Sequence, residues 1–567
     1  MYIESIPNRN SPPAILLREA WREGKRIRKR TIANLSQWPS EKVEALRRFL
    51  RDAPMVMSQE AFVIEESRAH GHVEVVLGMI KKLGLDELIA SRRSRERDLV
   101  VAMIAERLLH PCSKLATTRL WHTTTLAEEL GVTDADEDDL YEAMDWLVAR
   151  QDRIEKKLAA RHLSEGCFVF YDVTSSYYEG RCCPLARYGH DRDGKRGRPI
   201  IVYGLMTDGE GRPVAVEAYP GDTGDPSTVA EQAEKLREGF RLGRLVLVGD
   251  RGMLTQTQIG KLRGYPGLGW ISALRSHAIR DLVRGGFLQM SLFDRKDLAE
   301  IHSPDFPCER LVACYNPLIA EQRRRKRKEL LEATEKELKR IAKEVLRRTQ
   351  TPLQKEEIGK KVGKVIDRYK MGKHFTVTIG EGTFSYGRNE MKIDQEAALD
   401  GIYVIRTSEP IERLSAEDTV RSYKNLTQVE RAFRSLKGIN LLIRPIWHHT
   451  EDHVRSHIFL CMLAYYVEWH MRKELAPLLF DDEELDEDRK SRDPVKPAKP
   501  SISAKQKKAL KLTPEGFVVQ SFDTLLEELA TRCRNRCRIR SDSKEPPFYQ
   551  ITEMNPLQKQ ASQLLGL

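Results

Sequence analysis

The spacing of hydrophobic and polar positions changes several times along this chain, and the changes mark its parts. From about residue 71 to 163 apolar residues recur at helical spacing: Val73, Val76, Leu77 and Ile80 at three and four, then Val100, Ile104 and Leu108 at four. A further helix is predicted from Leu140 to Leu163. The acidic run 134–139 before it reads as a solvated loop that charges a helix N-terminus. Between 167 and 274 the pattern shifts to short continuous apolar runs, at 167–171, 200–206, 213–219, 245–249 and 270–274, with one helix at about 227–240. Such runs predict buried strands. Asp208-Gly209-Glu210-Gly211 is a hairpin signal, so 200–206 and 213–219 are expected to pair antiparallel.

The pattern changes again at 318–349, a long charged helix with Leu331, Leu338, Ile341 and Val345 at near-heptad spacing and the basic run 323–328 on its surface. Thr351-Pro352 breaks it, and Pro352 suits the first position of a second helix. Strand-like Phe375–Ile379 and the Gly-containing 380–388 follow. The α/β pattern returns at 401–406, then come helices around Glu430 and from about Asp452 to Lys473. There is no internal repeat. These shifts predict a division into a basic N-terminal region (1–70), a helical region for DNA binding or dimerisation (71–165), a first α/β part (166–300), a helical hairpin that is either an insertion or an independent coiled-coil module (301–399), a second α/β part (400–479), a disordered charged linker (480–508) and a helical tail (509–567).

A chain of 567 residues is too long for a single core. With 40% hydrophobic and 32% charged residues it reads as globular and soluble, and no apolar run reaches the roughly 18–20 residues of a membrane span. The N-terminus lacks the pattern of a signal peptide, so a cytoplasmic, nucleoid-associated protein is expected. The net charge of +11 favours a polyanionic partner. Arg18, Arg22, Lys25, Arg26, Arg28, Lys29 and Arg30 concentrate part of that charge, and Arg26, Arg28 and Lys29 are candidate DNA contacts. The nine cysteines include no Cys-x-x-Cys pair and read as reduced thiols.

Three acids carry the candidate chemistry. Asp172 ends the apolar run 167–171, Asp250 ends 245–249, and Glu430 lies in a helical stretch. Carboxylates brought together from two strand ends and a helix repel one another, and divalent cations resolve the conflict. Magnesium suits such an all-oxygen site, with manganese as a substitute. Tyr423, Leu426, Glu430 and Lys437 follow at intervals of three, four and seven, one face of a helix, so Tyr423 and Lys437 are expected to contact phosphates beside Glu430. His448, His449, His453 and His457 cluster, but the zinc-binding sequence His-Glu-x-x-His is absent, and a supporting or DNA-facing role is preferred to zinc. Trp447 and Trp270 could stack on an unpaired base, though Trp270 sits in a strand run that favours core packing. No Gly-x4-Gly-Lys-Ser/Thr nucleotide site occurs.

The local wording narrows this further. Asp172 precedes Val-Thr-Ser, Asp250 precedes Arg251-Gly252-Met253, and the third acid lies in Tyr423-x2-Leu426-x3-Glu430-x6-Lys437. Pro111-x-Ser113-Lys114-Leu115-Ala116, Arg192-Asp193-Gly194-Lys195 and Gly221-x2-Gly224-Asp225-x2-Thr228 stand in the same order. From about residue 70 to 475 the chain resembles the DDE transposases of bacterial insertion sequences, in the group with the signature Tyr-x2-Arg-x3-Glu-x6-Lys. Leu426 departs from it where Arg is expected, so a phosphate or base contact there is either missing or supplied by Arg431 or Arg434. The resemblance implies a ribonuclease-H-like α/β core, a mixed sheet flanked by helices, with a helical N-terminal region and a helical-hairpin-containing insertion. Asp172 would lie on its first strand, Asp250 on its fourth and Glu430 on a late helix. It further implies two magnesium ions held by Asp172, Asp250 and Glu430, cleavage at transposon ends, and strand transfer into target DNA. Double-stranded DNA, as terminal inverted repeats and as target, would be the partner of a homodimer, with Arg251 beside the site as a further contact. The alternatives are a ribonuclease-H-like nuclease without strand transfer and a catalytically inactive DNA-binding derivative.

Overall fold

The apolar runs at 167–171 and 245–249 become neighbouring parallel strands at the heart of an eight-stranded mixed sheet. The computed structural model describes residues 1–8, 12–51, 62–294, 296–539 and 546–567. We number the strands of this sheet β1 (Cys167–Tyr177), β2 (Ile200–Thr207), β3 (Pro213–Pro220), β4 (Leu245–Gly249), β5 (Leu268–Ala273), β6 (Leu298–Ile301), β7 (Arg310–Tyr315) and β8 (Ile402–Thr407). Their spatial order is β6-β7-β8-β5-β4-β1-β2-β3, with β1/β4 and β4/β5 parallel and the other pairs antiparallel. All of β2 and β4 is buried, which is why these strands read as unbroken apolar runs and do not alternate. The hairpin between β2 and β3 forms as expected: Asp208 Oδ1 accepts from the backbone N–H of Glu210 (3.0 Å) and Arg212 (2.9 Å), and Gly211 adopts φ +90°, a conformation that favours glycine.

Helices cover the sheet. Glu451–Leu475 is buried without interruption from Ser456 to Glu468 and packs on β3 and on helices Arg95–Leu109 and Glu137–Val148. Within it Glu468 is wholly buried, balanced by Arg472 (2.6 Å) and Asn440 (3.0 Å). An unpaired charge at that depth would cost several kcal/mol.

The sheet extends beyond the predicted core boundary at residue 300. β7 pairs with both β6 and β8, so residues 310–315 belong to the sheet, and the insertion starts at helix Pro317–Arg347. That helix, helix Lys355–Tyr369 and the hairpin Phe375–Gly380/Thr383–Arg388 enclose a separate core around Leu331, Leu338, Ile358 and Val362. The second helix begins at Lys355, capped by Gln354 and Glu357, three residues after Pro352.

Two expectations for the C-terminal part are corrected. Segment 480–508, expected to lack order, contains helix Leu485–Ser491 and reaches helix Ile502–Leu510. Its composition is polar, but single anchors hold it. Val495 is buried, and its carbonyl accepts from Asn316 Nδ2 (2.9 Å) and Lys424 Nζ (3.2 Å). Buried Lys507 donates to the Ala476 and Asp481 carbonyls and to Glu483. Nor is the tail 509–567 wholly helical. Between helices Phe522–Ala530 and Pro556–Leu565 it contributes strands Cys533–Ile539 and Phe548–Ile551, and the first of these pairs with Phe62–Ala69. Pairing with a distant strand overrides local preference there.

The chain divides into two compact units. The smaller comprises Met1–Gly71, Thr123–Thr125 and Ala530–Met554. It holds that second sheet and a three-stranded antiparallel sheet of Tyr2–Ile6, Ala14–Glu23 and Arg26–Asn34. The N-terminal basic cluster lies on this latter hairpin, where acids partly neutralise it: Glu4 pairs with Arg18 and Lys29, Glu19 with Arg30, Glu23 with Arg28. Arg22, Lys25 and Arg26 have no ion pair among the described residues and are exposed. No helix among the described residues is long and apolar enough to cross a membrane.

Candidate active site

The register of β1 and β4 aligns the first two acids. Tyr171 pairs with Gly249, so Asp172, within β1, and Asp250, just past the end of β4, occupy the next positions of adjacent chains. They differ in setting. β4 ends at Gly249, and the Asp250 carbonyl accepts from Met253 (3.0 Å) and Leu254 (3.1 Å) in a tight turn. β1 runs on for five residues past Asp172, through buried Val173, Thr174, Ser175 and Ser176, so Asp172 is a mid-strand residue and not a strand end. The extension is paid in hydrogen bonds: Ser176 Oγ meets Tyr203 Oη at 3.0 Å and Ser175 Oγ donates to the His190 carbonyl.

The third acid stands on helix Thr427–Lys437, which packs on β1 and β2 through Val429, Ala432, Phe433 and Leu436 and leaves Glu430 exposed. The single helix predicted over 423–437 is two helices. Ala416–Lys424 ends at a turn through Asn425 and Leu426, where i to i−3 bonds (Leu426 to Tyr423, Gln428 to Asn425) tighten the backbone. Leu426, in the position of the signature Arg, is buried in the main core. Tyr423 nevertheless reaches the site: its hydroxyl donates to Asp250 Oδ1 at 3.4 Å. Lys437 faces inward. Its Nζ donates to the Ser175 carbonyl (2.5 Å) and to Asp193 Oδ1 (3.0 Å), tying the helix end to β1.

Asp193 belongs to one of the motif segments, and the sequence assigned it no role of its own. Its side chain is enclosed, accepts from the Tyr177 N–H (3.1 Å), and pairs with both Lys437 and Arg444. Its neighbour Arg192 pairs with Asp225 at 2.5 Å, joining two of the motif segments. Gly221, which opens the segment containing Asp225, has no room for a side chain: a Cβ would lie 2.1 Å from the Ile200 carbonyl oxygen. The order of these segments along the chain was the only signal available for them.

Electrostatically, Asp172 is frustrated. Burial, and then the carboxylates of Asp250 and Glu430, push its pKa up to about 7, against the opposing pull of the Val173 N–H and Arg192. Asp172 has no ion pair among the described residues; its Oδ1 accepts only from the Val173 N–H at 2.8 Å. A carboxylate held near other carboxylates with no ion-pair partner among the described residues suits a hard divalent cation, and the donors are all oxygens. Among the described residues no three His, Cys, Asp or Glu side chains are grouped closely enough to hold a metal ion as they stand.

The remaining candidates scatter. Arg251, Arg431 and Arg434 are exposed near this site, on the Asp250 loop and the Glu430 helix. The histidine cluster lines a separate cavity of about 640 Å³ together with Lys114, Arg107 and Trp447. There His453 pairs with Asp145, His457 Nε2 meets the Ile443 carbonyl, and burial pushes His448 down to about 3. Trp270 is buried in β5 and cannot meet a base, whereas Trp447 is exposed.

The transposase DDE domain matches residues 164–467, which run from the start of β1 into the long helix behind the sheet, and the N-terminal domain of IS1634 family transposases matches residues 3–55. Among solved structures, a piggyBac transposase synaptic complex with hairpin DNA is loosely similar, with 10% identity, 81% of this chain and 76% of that chain covered, and a TM-score of 0.35. No curated protein matches. Matched over more than half its length by the DDE domain, the chain belongs to the DDE transposases of insertion sequences and is a DNA transposase.

Proposed function

We propose that Asp172, Asp250 and Glu430 are the catalytic carboxylates of this transposase and that they hold its divalent metal as a pair of magnesium ions, which manganese can replace. The observation that carries the reading is the β1/β4 register, which sets Asp172 beside Asp250, with Glu430 near enough to raise the Asp172 pKa. Antiparallel β1–β3 followed by parallel β4 and β5 supports a ribonuclease-H-like core. When bound, a metal pair stabilises the attacking and leaving oxygens of phosphoryl transfer.

The chain's own residues do the rest. Tyr423 steadies the Asp250 carboxylate through its hydroxyl. Lys437 and Arg444, clamped on Asp193, fix the Glu430 helix against β1, so Lys437 serves position before phosphate contact. Arg251, Arg431 and Arg434 offer exposed cations to the DNA strand at the site. In this reading the protein cuts at the terminal inverted repeats of its element and joins the freed 3′-hydroxyl to target DNA, acting as a homodimer that brings two ends together. The N-terminal hairpin, with Arg26, Arg28 and Lys29, contributes to end binding.

The test uses full-length protein with Mg2+ and a duplex carrying the element's end. Asp172→Asn, Asp250→Asn and Glu430→Gln are expected to lose cleavage and the joining of a precut end while retaining end binding. Cleavage by all three variants would overturn the assignment, and cleavage without joining by the wild type would make the protein a nuclease.

A further inference from the structure

The cavity of about 640 Å³ that the histidine cluster lines also holds two buried cations. Arg107, near the end of helix Arg95–Leu109, is 7% exposed, and Lys114, which opens helix Lys114–Leu120, is 5% exposed. Neither has an ion pair among the described residues. Arg107 Nη2 donates only to the Cys112 carbonyl, at a long 3.5 Å, and Lys114 Nζ has no hydrogen bond there at all. The acid whose charge both cations feel does not neutralise them. Glu106 lies outside ion-pair distance of each, its one charge partner among the described residues is His110 at 4.0 Å, and burial raises its own pKa to about 7.

Charges at this depth ordinarily bring partners with them, and without partners their burial is costly. The strain shows in the neighbouring groups. Burial, and then Arg107, push the Lys114 amine down to about 7. Burial, and then Lys114, hold His448 neutral. At the rim Glu179 is taken by Arg198 and Arg444 by Asp193, while exposed Arg181 has no ion pair among the described residues. The walls are fixed in advance. The Tyr178 hydroxyl donates to the His448 carbonyl (3.1 Å) and accepts from the Cys183 N–H (3.2 Å), and a Cβ on Gly180 would fall 2.7 Å from the Trp447 carbonyl oxygen. Two unpartnered cations in a preformed cavity are a receptor for an anion.

We propose that this cavity binds a phosphate monoester, whose dianion takes Arg107 and Lys114 as its buried partners and Arg181 at the rim. A terminal phosphate is favoured over the internal phosphates of a duplex for a steric reason. An internal phosphate carries a sugar on each side, and the duplex around it cannot follow it to side chains that are more than nine-tenths buried. Terminal phosphates occur on free nucleotides and at the 5′ ends of cut strands; the chemistry is the same, and the experiment separates the sources. None of the three candidate catalytic acids lines the cavity, so the proposal does not rest on the catalytic reading.

The test is equilibrium dialysis of full-length, metal-free protein against radiolabelled inorganic phosphate and a radiolabelled nucleoside monophosphate, in chloride buffer of fixed ionic strength. A single saturable site per chain is expected, unchanged in Asp172→Asn. Lys114→Met and Arg107→Gln should each weaken it by roughly 10–100-fold, the worth of a hydrogen bond to a charged group. A thermal melt checks the fold of each variant and adds a second readout. Removing an unpartnered buried charge should raise the melting temperature of Lys114→Met without phosphate, and phosphate should then stabilise the wild type but not the variant. Competition assigns the source. Displacement by free nucleotide alone makes the ligand a small molecule, and displacement by a 5′-phosphorylated duplex but not by its 5′-hydroxyl twin makes it a strand end. Equal displacement by both duplexes, no saturable binding at millimolar phosphate, or undiminished binding in both variants would each overturn the proposal.

Discussion

Asp172 lies within β1 and Asp193 caps its end at Tyr177, and their surroundings are opposite. Asp193 is enclosed, and Lys437, Arg444 and the Tyr177 N–H satisfy it. Asp172 is half-buried, has among the described residues a single hydrogen bond, from its own neighbour, and faces two further carboxylates. A buried acid with its counter-charges is a structural clamp. One deprived of them keeps its proton near neutral pH and is poised for a cation from outside. Sequence position does not separate the two; their partners do.

Exchanging each acid for its amide should pull the two apart. The largest effect is expected from Asp172→Asn, which should lower magnesium-dependent cleavage by about 10³-fold or more, some 4 kcal/mol of transition-state stabilisation, without lowering the melting temperature at pH 8. A gel cleavage assay and a thermal melt on the same preparation decide it, and a variant that melts early would make Asp172 a structural residue like Asp193. Next in size, Asp193→Asn should destabilise the fold by about 3 kcal/mol by leaving Lys437 and Arg444 unpaired, read as a lower denaturant midpoint. Adding Lys437→Met should recover part of that loss; simple additivity of the two changes would disprove the clamp.

The pH response sharpens the contrast. Because the folded pKa of Asp172 is raised to about 7 from 3.8, its stabilising contribution is complete below about pH 4 and is lost as pH rises through 7. Metal-free protein should therefore lose ~2 kcal/mol from this group between pH 5 and 8, after allowance for partial exposure. That component should vanish in Asp172→Asn, and Mg2+ should restore it only in the wild type. Identical pH dependences in EDTA for both proteins would contradict the frustrated state. The smallest effect belongs to Tyr423→Phe, which removes one hydrogen bond to Asp250 and should cost roughly 2–10-fold in cleavage rate. A loss comparable to Asp172→Asn would give the hydroxyl a direct role.

Much of this was legible in the chain itself. The apolar runs that end before Asp172 and Asp250 are the buried centre of the sheet, and the turn at 208–211 marked the β2/β3 hairpin, because burial on both faces and glycine at positive φ leave local traces. Where the reading failed, the cause was a distant partner. β7 belongs to the sheet because β6 and β8 flank it, residues 480–508 are ordered through Val495 and Lys507, and the tail forms strands because Cys533–Ile539 pairs with Phe62–Ala69 on one side and with Phe548–Ile551 on the other.

The sequence by itself determined which short segments are buried, which acids follow them, and the family to which their order belongs. Only the tertiary structure decided that Lys437 faces Asp193, that Asp172 has no ion pair among the described residues, and that cations from residue 251 to 392 share one cleft. Periodicity reports that a face is covered, since the hydrophobic effect acts on each residue's own surface. It carries no record of what covers that face, and charge interactions depend on the distance through space between groups that the chain holds hundreds of residues apart.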